Sequence, residues 1–138
     1  MLELGILADD LTGGMMVASL LEREGIECPL VSSIEALADI SPSASAVVVA
    51  RKIRLVDSVV AINEGQQTVE ALKKVGCKRF YYKYCATFDS TEKGNIGPIA
   101  EAMLSASGGR QTLFCPAFPV HTVTVFPVSY THLRAHET

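Results

Sequence analysis

Leu2-Glu3-Leu4-Gly5-Ile6-Leu7-Ala8-Asp9-Asp10-Leu11-Thr12-Gly13-Gly14 is the stretch on which the fold turns. Leu2 to Ala8 is a nearly continuous apolar run, too long and too uniform for a strand with one wet face, and it suits a strand buried on both sides. Asp9 and Asp10 close it with two charges. Gly13 and Gly14 then open a segment in which Met16, Val17, Leu20 and Leu21 share one helical face, with Gly25 after Glu24 where a C-terminal cap belongs. A buried strand, a polar turn and an amphipathic helix in that order predict the first half of a parallel β-α-β unit.

The same punctuation recurs downstream. Ile26 to Val31 reads as a second strand, residues 32–45 as a short helix plus a Ser-, Ala- and Pro-rich loop, and Ala46 to Ala50 as a third, fully buried strand. Asp57 or Ser58 can cap a helix whose apolar positions Val59, Ile62, Val69, Leu72 and Val75 keep helical spacing up to Gly76, with Gly65 a local weakness. Arg79 to Lys83 forms an aromatic strand, Ala86 to Gly97 a polar loop, Pro98 a favoured first helical residue ahead of Ile99, Ala102 and Met103, and Gln111 to Ala117 a further strand. The fold class that follows is α/β, a mostly parallel sheet with helices on both faces and right-handed crossovers.

Length and composition agree. With 138 residues and 14.8 kDa the chain suits one domain, and 49% hydrophobic with 20% charged residues excludes a disordered chain. A net charge of -3 and a pI near 5.6 lack the basic excess that nucleic-acid backbones require, so no nucleic-acid partner is expected. Mean hydropathy is +0.28, but the apolar runs fall far short of the roughly 20 residues that span a bilayer, so no membrane association is expected either. No Lys or Arg precedes Arg23, the opposite of a secretory leader, which predicts a cytoplasmic location. Cys28, Cys77, Cys85 and Cys115 have neither paired spacing nor the density of a disulfide framework and read as reduced thiols. No metal site is expected.

In a parallel sheet ligands sit beyond the carboxyl ends of the strands, which selects two loops. Asp9 to Gly14 places two carboxylates, the Thr12 hydroxyl and two glycines at a helix N-terminus. Paired acids suit a ligand that donates hydrogen bonds, such as sugar hydroxyls, or a hydrated Mg²⁺, and either could take a proton from a hydroxyl; equally, one of them can simply cap the helix. The second loop, Asp89-Ser90-Thr91-Glu92-Lys93-Gly94-Asn95-Ile96-Gly97-Pro98, mixes an acid, hydroxyls, a cation and an amide. Lys93 suits a carboxylate or phosphate, and Asp89 and Asn95 suit hydroxyls, though Asp89 and Ser90 also read as turn formers. Lys83 reaches the same crevice or lies on the surface. Arg51, Lys52 and Arg54 form a cationic knot after the third strand, any one of which could grip an acid. Tyr81, Tyr82 and Tyr84 read as strand packing.

Four blocks, Ala8-Asp9-Asp10-Leu11-Thr12-Gly13, Tyr82-Lys83-Tyr84-Cys85-Ala86-Thr87-Phe88-Asp89-Ser90-Thr91, Lys93-Gly94-Asn95-Ile96-Gly97-Pro98 and Cys115-Pro116-Ala117-Phe118-Pro119, together resemble the N-terminal domain of the four-carbon acid sugar kinases, the Tyr-Lys-Tyr-Cys stretch being most similar to the 3-oxo-tetronate 4-kinases. The resemblance implies a two-domain enzyme that phosphorylates the terminal hydroxyl of a 3-oxo-tetronate, threonate or erythronate type of acid with ATP and Mg²⁺. In that family a later nucleotide-binding domain, absent here, holds the ATP. Carried over by position, it implies catalytic Asp9 and Asp10 and substrate-binding Thr12, Gly13, Arg54, Lys83, Asp89, Ser90, Thr91, Lys93, Gly94 and Asn95.

Two departures stand out. After Pro119 the family shows a Gly-Arg-Thr-containing stretch where this chain reads Val120-His121-Thr122-Val123, and no Gly-x-x-x-x-Gly-Lys loop occurs anywhere. From Pro127 the sequence has no apolar period and resembles the translation of a sequencing adapter. Residues 1–126 are therefore expected to be the sugar-acid-binding domain, incomplete at its C-terminal end, and 127–138 an artefactual tail, so that His132 and His136 at i, i+4 spacing are not a metal pair. Such a fragment is expected to lack kinase turnover by itself. Two competitors are a non-catalytic sugar-acid binding module and a receiver-like signalling domain. The latter needs an acceptor Asp after its third strand, where Arg51 and Lys52 stand.

Overall fold

The computed structural model describes residues 1–88, 91–125 and the backbone of 130–132. Strand β1 (Leu4–Ala8) leads to helix α1 (Leu11–Arg23), then β2 (Leu30–Val31), a 3-10 turn (Glu35–Asp39), β3 (Ala46–Ala50), α2 (Ser58–Lys74), β4 (Arg79–Lys83) and α3 (Ile96–Ser107). A second 3-10 turn (Pro119–His121) precedes β5 (Val123–Val125), which pairs antiparallel with β6 (Tyr130–His132). The main sheet runs β2-β3-β1-β4 and is parallel throughout, with Ala8 level with both Ala50 and Lys83. This is the α/β architecture read from the sequence.

The uninterrupted apolar runs have a direct cause. β1 and β3 are central, and alternate side chains enter two different cores. Ile6, Ala8, Ala46, Val48 and Ala50 pack with Ala18 and Val17 of α1 on one face. On the other face, Val47 and Val49 meet Leu72 of α2 and Leu37, and Leu7 meets Ala61 and Val69 of α2 with Ile99 and Met103 of α3. Helix α1 lies close to the sheet because Gly14 has no side chain: a Cβ there would stand 3.0 Å from the Ala50 Cβ, 3.2 Å from the Val48 Cγ1 and 3.3 Å from the Ala8 Cβ.

Four details differ from expectation. Ile26 to Val31 shortens to a two-residue strand: ahead of Leu30 the Glu27 carbonyl accepts the Ser45 and Ala46 amides and the Pro29 carbonyl accepts the Val48 amide, but Pro29 has no N–H to return a ladder bond. Pro98 sits third in α3, a place where its missing N–H still costs no intrahelical bond. Helix α2 ends at Lys74, ahead of Gly76, whose φ of +105° turns the chain. Gln111 to Ala117 forms no strand: Leu113 is 95% exposed, and Phe114 stacks on Tyr84 with ring centroids 6.2 Å apart, so a ring contact and not a backbone ladder holds this segment near β4.

Candidate functional site

Since β1, β3 and β4 are parallel neighbours, the loops leaving their carboxyl ends start side by side. The Asp9 amide donates to the Lys83 carbonyl at 3.2 Å, and the Arg51 amide donates to the Ala8 carbonyl at 2.9 Å. The Asp9 carbonyl accepts from both the Ile53 and Arg54 amides at 3.2 Å. One residue thus ties three loops together through its backbone.

The two acids after β1 do different things. Asp10 has an extended backbone and caps α1, its Oδ1 accepting the Gly13 amide at 2.6 Å. A Cβ at Gly13 would stand 2.9 Å from that oxygen, so the absent side chain is what admits the carboxylate. The Asp10 Oδ2 lies 4.0 Å from Arg54 Nη1. Asp9 instead turns inward, 2% exposed; its Oδ2 accepts the Tyr82 hydroxyl at 3.1 Å and the Cys85 amide at 3.4 Å, while its Oδ1 is buried without a partner. Burial pushes the Asp9 carboxyl above its ordinary pKa and the Asp10 charge adds to this, while the Tyr82 and Cys85 bonds and the Lys83 charge pull it back. Burial, together with the neighbouring Asp9 charge, also pushes the Tyr82 hydroxyl up, so Tyr82 stays a donor at neutral pH.

The cationic knot divides. Arg51 faces away, with Nε and Nη2 on both oxygens of Glu64 in α2 at 2.7 and 3.0 Å and Nη1 on the Ser32 carbonyl at 2.7 Å. This forked pair fixes β3 to α2. Lys52 is exposed. Arg54 is the member that turns to the β1 loop, and its Nη2 donates to the Thr87 hydroxyl at 3.0 Å. Lys83 Nζ lies 3.6 Å from where a Gly13 Cβ would be and donates to the Tyr84 carbonyl, which brings a second cation to the N-terminal turn of α1.

Of the predicted site residues the structure therefore gathers Asp9, Asp10, Gly13, Arg54 and Lys83. Thr12 is exposed in the first turn of α1, and Thr91 and Lys93 are exposed in the loop before α3, where the Gly94 amide closes a turn on the Thr91 carbonyl at 3.0 Å. Asn95 is buried, its amide nitrogen on the carbonyls of Ile53, Arg54 and Val56. Asp89 and Ser90 lie outside the described residues. Among the described residues no cluster of three His, Cys, Asp or Glu side chains could hold a metal ion. Sequence reasoning missed Tyr82 and Thr87. The signal for Tyr82 is positional: it is level with Leu7, and Asp9 is the next residue on that face of β1, so a phenol at 82 reaches an acid at 9 once the register is known.

Acceptors on Asp9 and Asp10 beside cations on Arg54 and Lys83 make a surface for a small ligand that carries both hydroxyls and a negative charge. A family model described as a sugar-binding N-terminal domain matches residues 4–134. The chain belongs to this family. It is 42% identical over 123 residues to a 3-oxo-tetronate kinase of Burkholderia multivorans, 40% over 125 residues to one of Brucella melitensis and 36% over 126 residues to one of Escherichia coli. These alignments cover 89%, 91% and 91% of this chain but 28%, 28% and 32% of the relatives, so the chain spans about three tenths of their length. A crystal structure from Salmonella typhimurium LT2, provisionally described as a tRNA synthase, superposes with a TM-score of 0.82 at 36% identity, over 91% of this chain and 30% of that one. Among the described residues no helix is long and apolar enough to cross a membrane.

Proposed function

We propose that this chain is the acceptor-binding part of a cytoplasmic, ATP-dependent kinase that phosphorylates the terminal hydroxyl of a four-carbon sugar acid of the 3-oxo-tetronate, threonate or erythronate type. The observation that carries the reading is the meeting of Asp10, Arg54 and Lys83 at one sheet edge, in a member of a sugar-binding family whose relatives are named 3-oxo-tetronate kinases.

The roles follow from the chemistry of the side chains. Arg54 and Lys83 take the carboxylate, with Lys93 of the neighbouring loop as a further cation. Asp10, partly exposed and held by the Gly13 amide, orients the acceptor hydroxyl and receives its proton as the oxygen attacks a phosphoryl group. Asp9, buried and elevated in pKa, sets the shape of the loop through Tyr82 and offers its unpartnered Oδ1 to a hydroxyl. The family resemblance adds Thr12, Gly13, Asp89, Ser90, Thr91 and Gly94 as further substrate contacts, with Asn95 behind them in the same loop.

ATP and Mg²⁺ are, in this reading, held mainly by the part of the relatives' length that this chain does not span, with the Asp9-Asp10 loop facing the transferred group. Phosphoryl transfer depends on positioning and charge neutralisation around the nucleotide phosphates, so this chain alone should bind the acid without turning over ATP. Titration calorimetry with threonate, erythronate and their 3-oxo forms is the test. Saturable binding of one of them, weakened at least tenfold in Arg54→Ala, is the expected result; no binding of any would overturn the reading.

A further inference from the structure

Asn95 is an unusual residue in this fold. It stands at the N-cap position of α3 and is among the residue types best suited to cap, yet its side chain makes no capping bond. Its amide points the other way, into a neighbouring loop 39 to 42 residues distant in sequence. Nδ2 lies 3.0 Å from the Ile53 carbonyl, 3.3 Å from that of Arg54 and 2.8 Å from that of Val56. All three neighbours are acceptors, which fixes the amide orientation: only the nitrogen can face them. The residue is 5% exposed.

The turn it grips carries Arg54. Its amides at 53 and 54 are held by the Asp9 carbonyl and its carbonyls at 53, 54 and 56 by Asn95, so the backbone of the turn is clamped from both sides. The guanidinium leaves this clamp to reach Thr87 and the Asp10 carboxylate. A long side chain can hold a carboxylate in a fixed direction only if its own backbone is fixed, since a shift near 1 Å at its root breaks a forked contact.

We propose that Asn95 is a positioning residue: it does not touch the sugar acid but aims Arg54 at it, making the anchoring of the acid depend on the loop before α3. The proposal rests on the reading of Arg54 as the acid-gripping residue, and it separates Asn95 from the direct substrate contacts expected from the sequence. It also couples the loops that follow β3 and β4, so that ordering one orders the other.

The test uses Asn95→Asp, which keeps the shape but turns an acceptor toward three carbonyls, and Asn95→Ser, which shortens the link. Both are compared with Arg54→Ala and with the double variant. The first readout needs no ligand: hydrogen exchange of the Arg54 backbone amide and Nε–H, followed by NMR, should accelerate at least tenfold in both Asn95 variants. The second is the ratio of affinities for erythronate and uncharged erythritol. The Asn95 variants should lose at least tenfold in erythronate affinity and less than twofold in erythritol affinity, with the double variant no weaker than Arg54→Ala. Unchanged Arg54 exchange, parallel loss for both ligands, or additive losses in the double variant would each overturn the proposal. If the unaltered chain binds no erythronate, the functional reading falls, and the exchange readout alone still decides whether Asn95 holds Arg54.

Discussion

Replacing Gly14 by Ala should weaken the fold, against the usual sense of a glycine-to-alanine change within a helix. In an open helical position the added methyl contributes about 0.5–1 kcal/mol through backbone entropy. At Gly14 it would stand 3.0 Å from the Ala50 Cβ, 3.2 Å from the Val48 Cγ1 and 3.3 Å from the Ala8 Cβ. Two of these atoms are fixed to central strands and cannot rotate away. Overpacking of this kind costs about 1–3 kcal/mol, so the net effect is a loss of about 1 kcal/mol. Helix α1 must lift, and Asp10 and Gly13 lift with it. Urea unfolding followed by circular dichroism should show the midpoint about 0.5 M lower, for a slope near 2 kcal/mol per molar. Gly65 in the middle of α2 is the control: a Cβ there would come no nearer than 3.6 Å, to the Ile99 Cγ2, which is ordinary contact, and Gly65→Ala should raise stability by about 0.5 kcal/mol. A Gly14→Ala protein as stable as Gly65→Ala would refute the reasoning, because the close approach of α1 would then not be a tight contact.

Asp9→Asn should stabilise the fold in a pH-dependent way. Since the folded state raises the Asp9 pKa above its ordinary 3.8, ionisation of this group costs stability above the elevated value and nothing below 3.8. The stability of the Asn variant relative to the parent should therefore climb as pH rises from 3.8 and level off once pH exceeds the elevated value, whatever the constant offset; a difference independent of pH in denaturation curves from about pH 3 to 8 would contradict the assignment. Cys28 and Cys77 are buried with thiols pushed up to about 11, whereas Cys115 is exposed. A thiol-reactive dye at pH 8 should label Cys115 first and leave Cys28 and Cys77 until denaturant is added, and rapid labelling of either buried thiol in the native protein would show the sheet to be open.

Much of the sheet was legible because β1 and β3 are buried on both faces, and a run such as Ala46 to Ala50 has no other stable place. The acid loop was legible too, since Asp-Asp followed by glycines must fall where strand gives way to helix. Edge strand β4 was read with its observed bounds, Arg79–Lys83, but the segments at and beyond the other limits of the sheet were not. Ile26 to Val31 and Gln111 to Ala117 have the apolar content of strands, but a strand needs a ladder partner along its length, and its neighbours are set by the rest of the chain. The side-chain divisions within the site were equally hidden. Arg51 and Arg54 are alike in sequence, yet one forks onto Glu64 and the other turns to Asp10, because neighbouring positions beyond a strand end face different layers.

By itself, then, the order of residues determined a parallel α/β layer with acids, hydroxyls and cations leaving its carboxyl edge, because hydrophobic periodicity and helix-capping chemistry are local properties. Which of those groups meet was decided by the tertiary structure alone. The register that sets Tyr82 beside Asp9, the glycine contact that seats α1, and the amide of Asn95 reaching across some forty residues to the turn of Arg54 all arise from packing between distant segments. Such contacts leave no periodic trace in the chain.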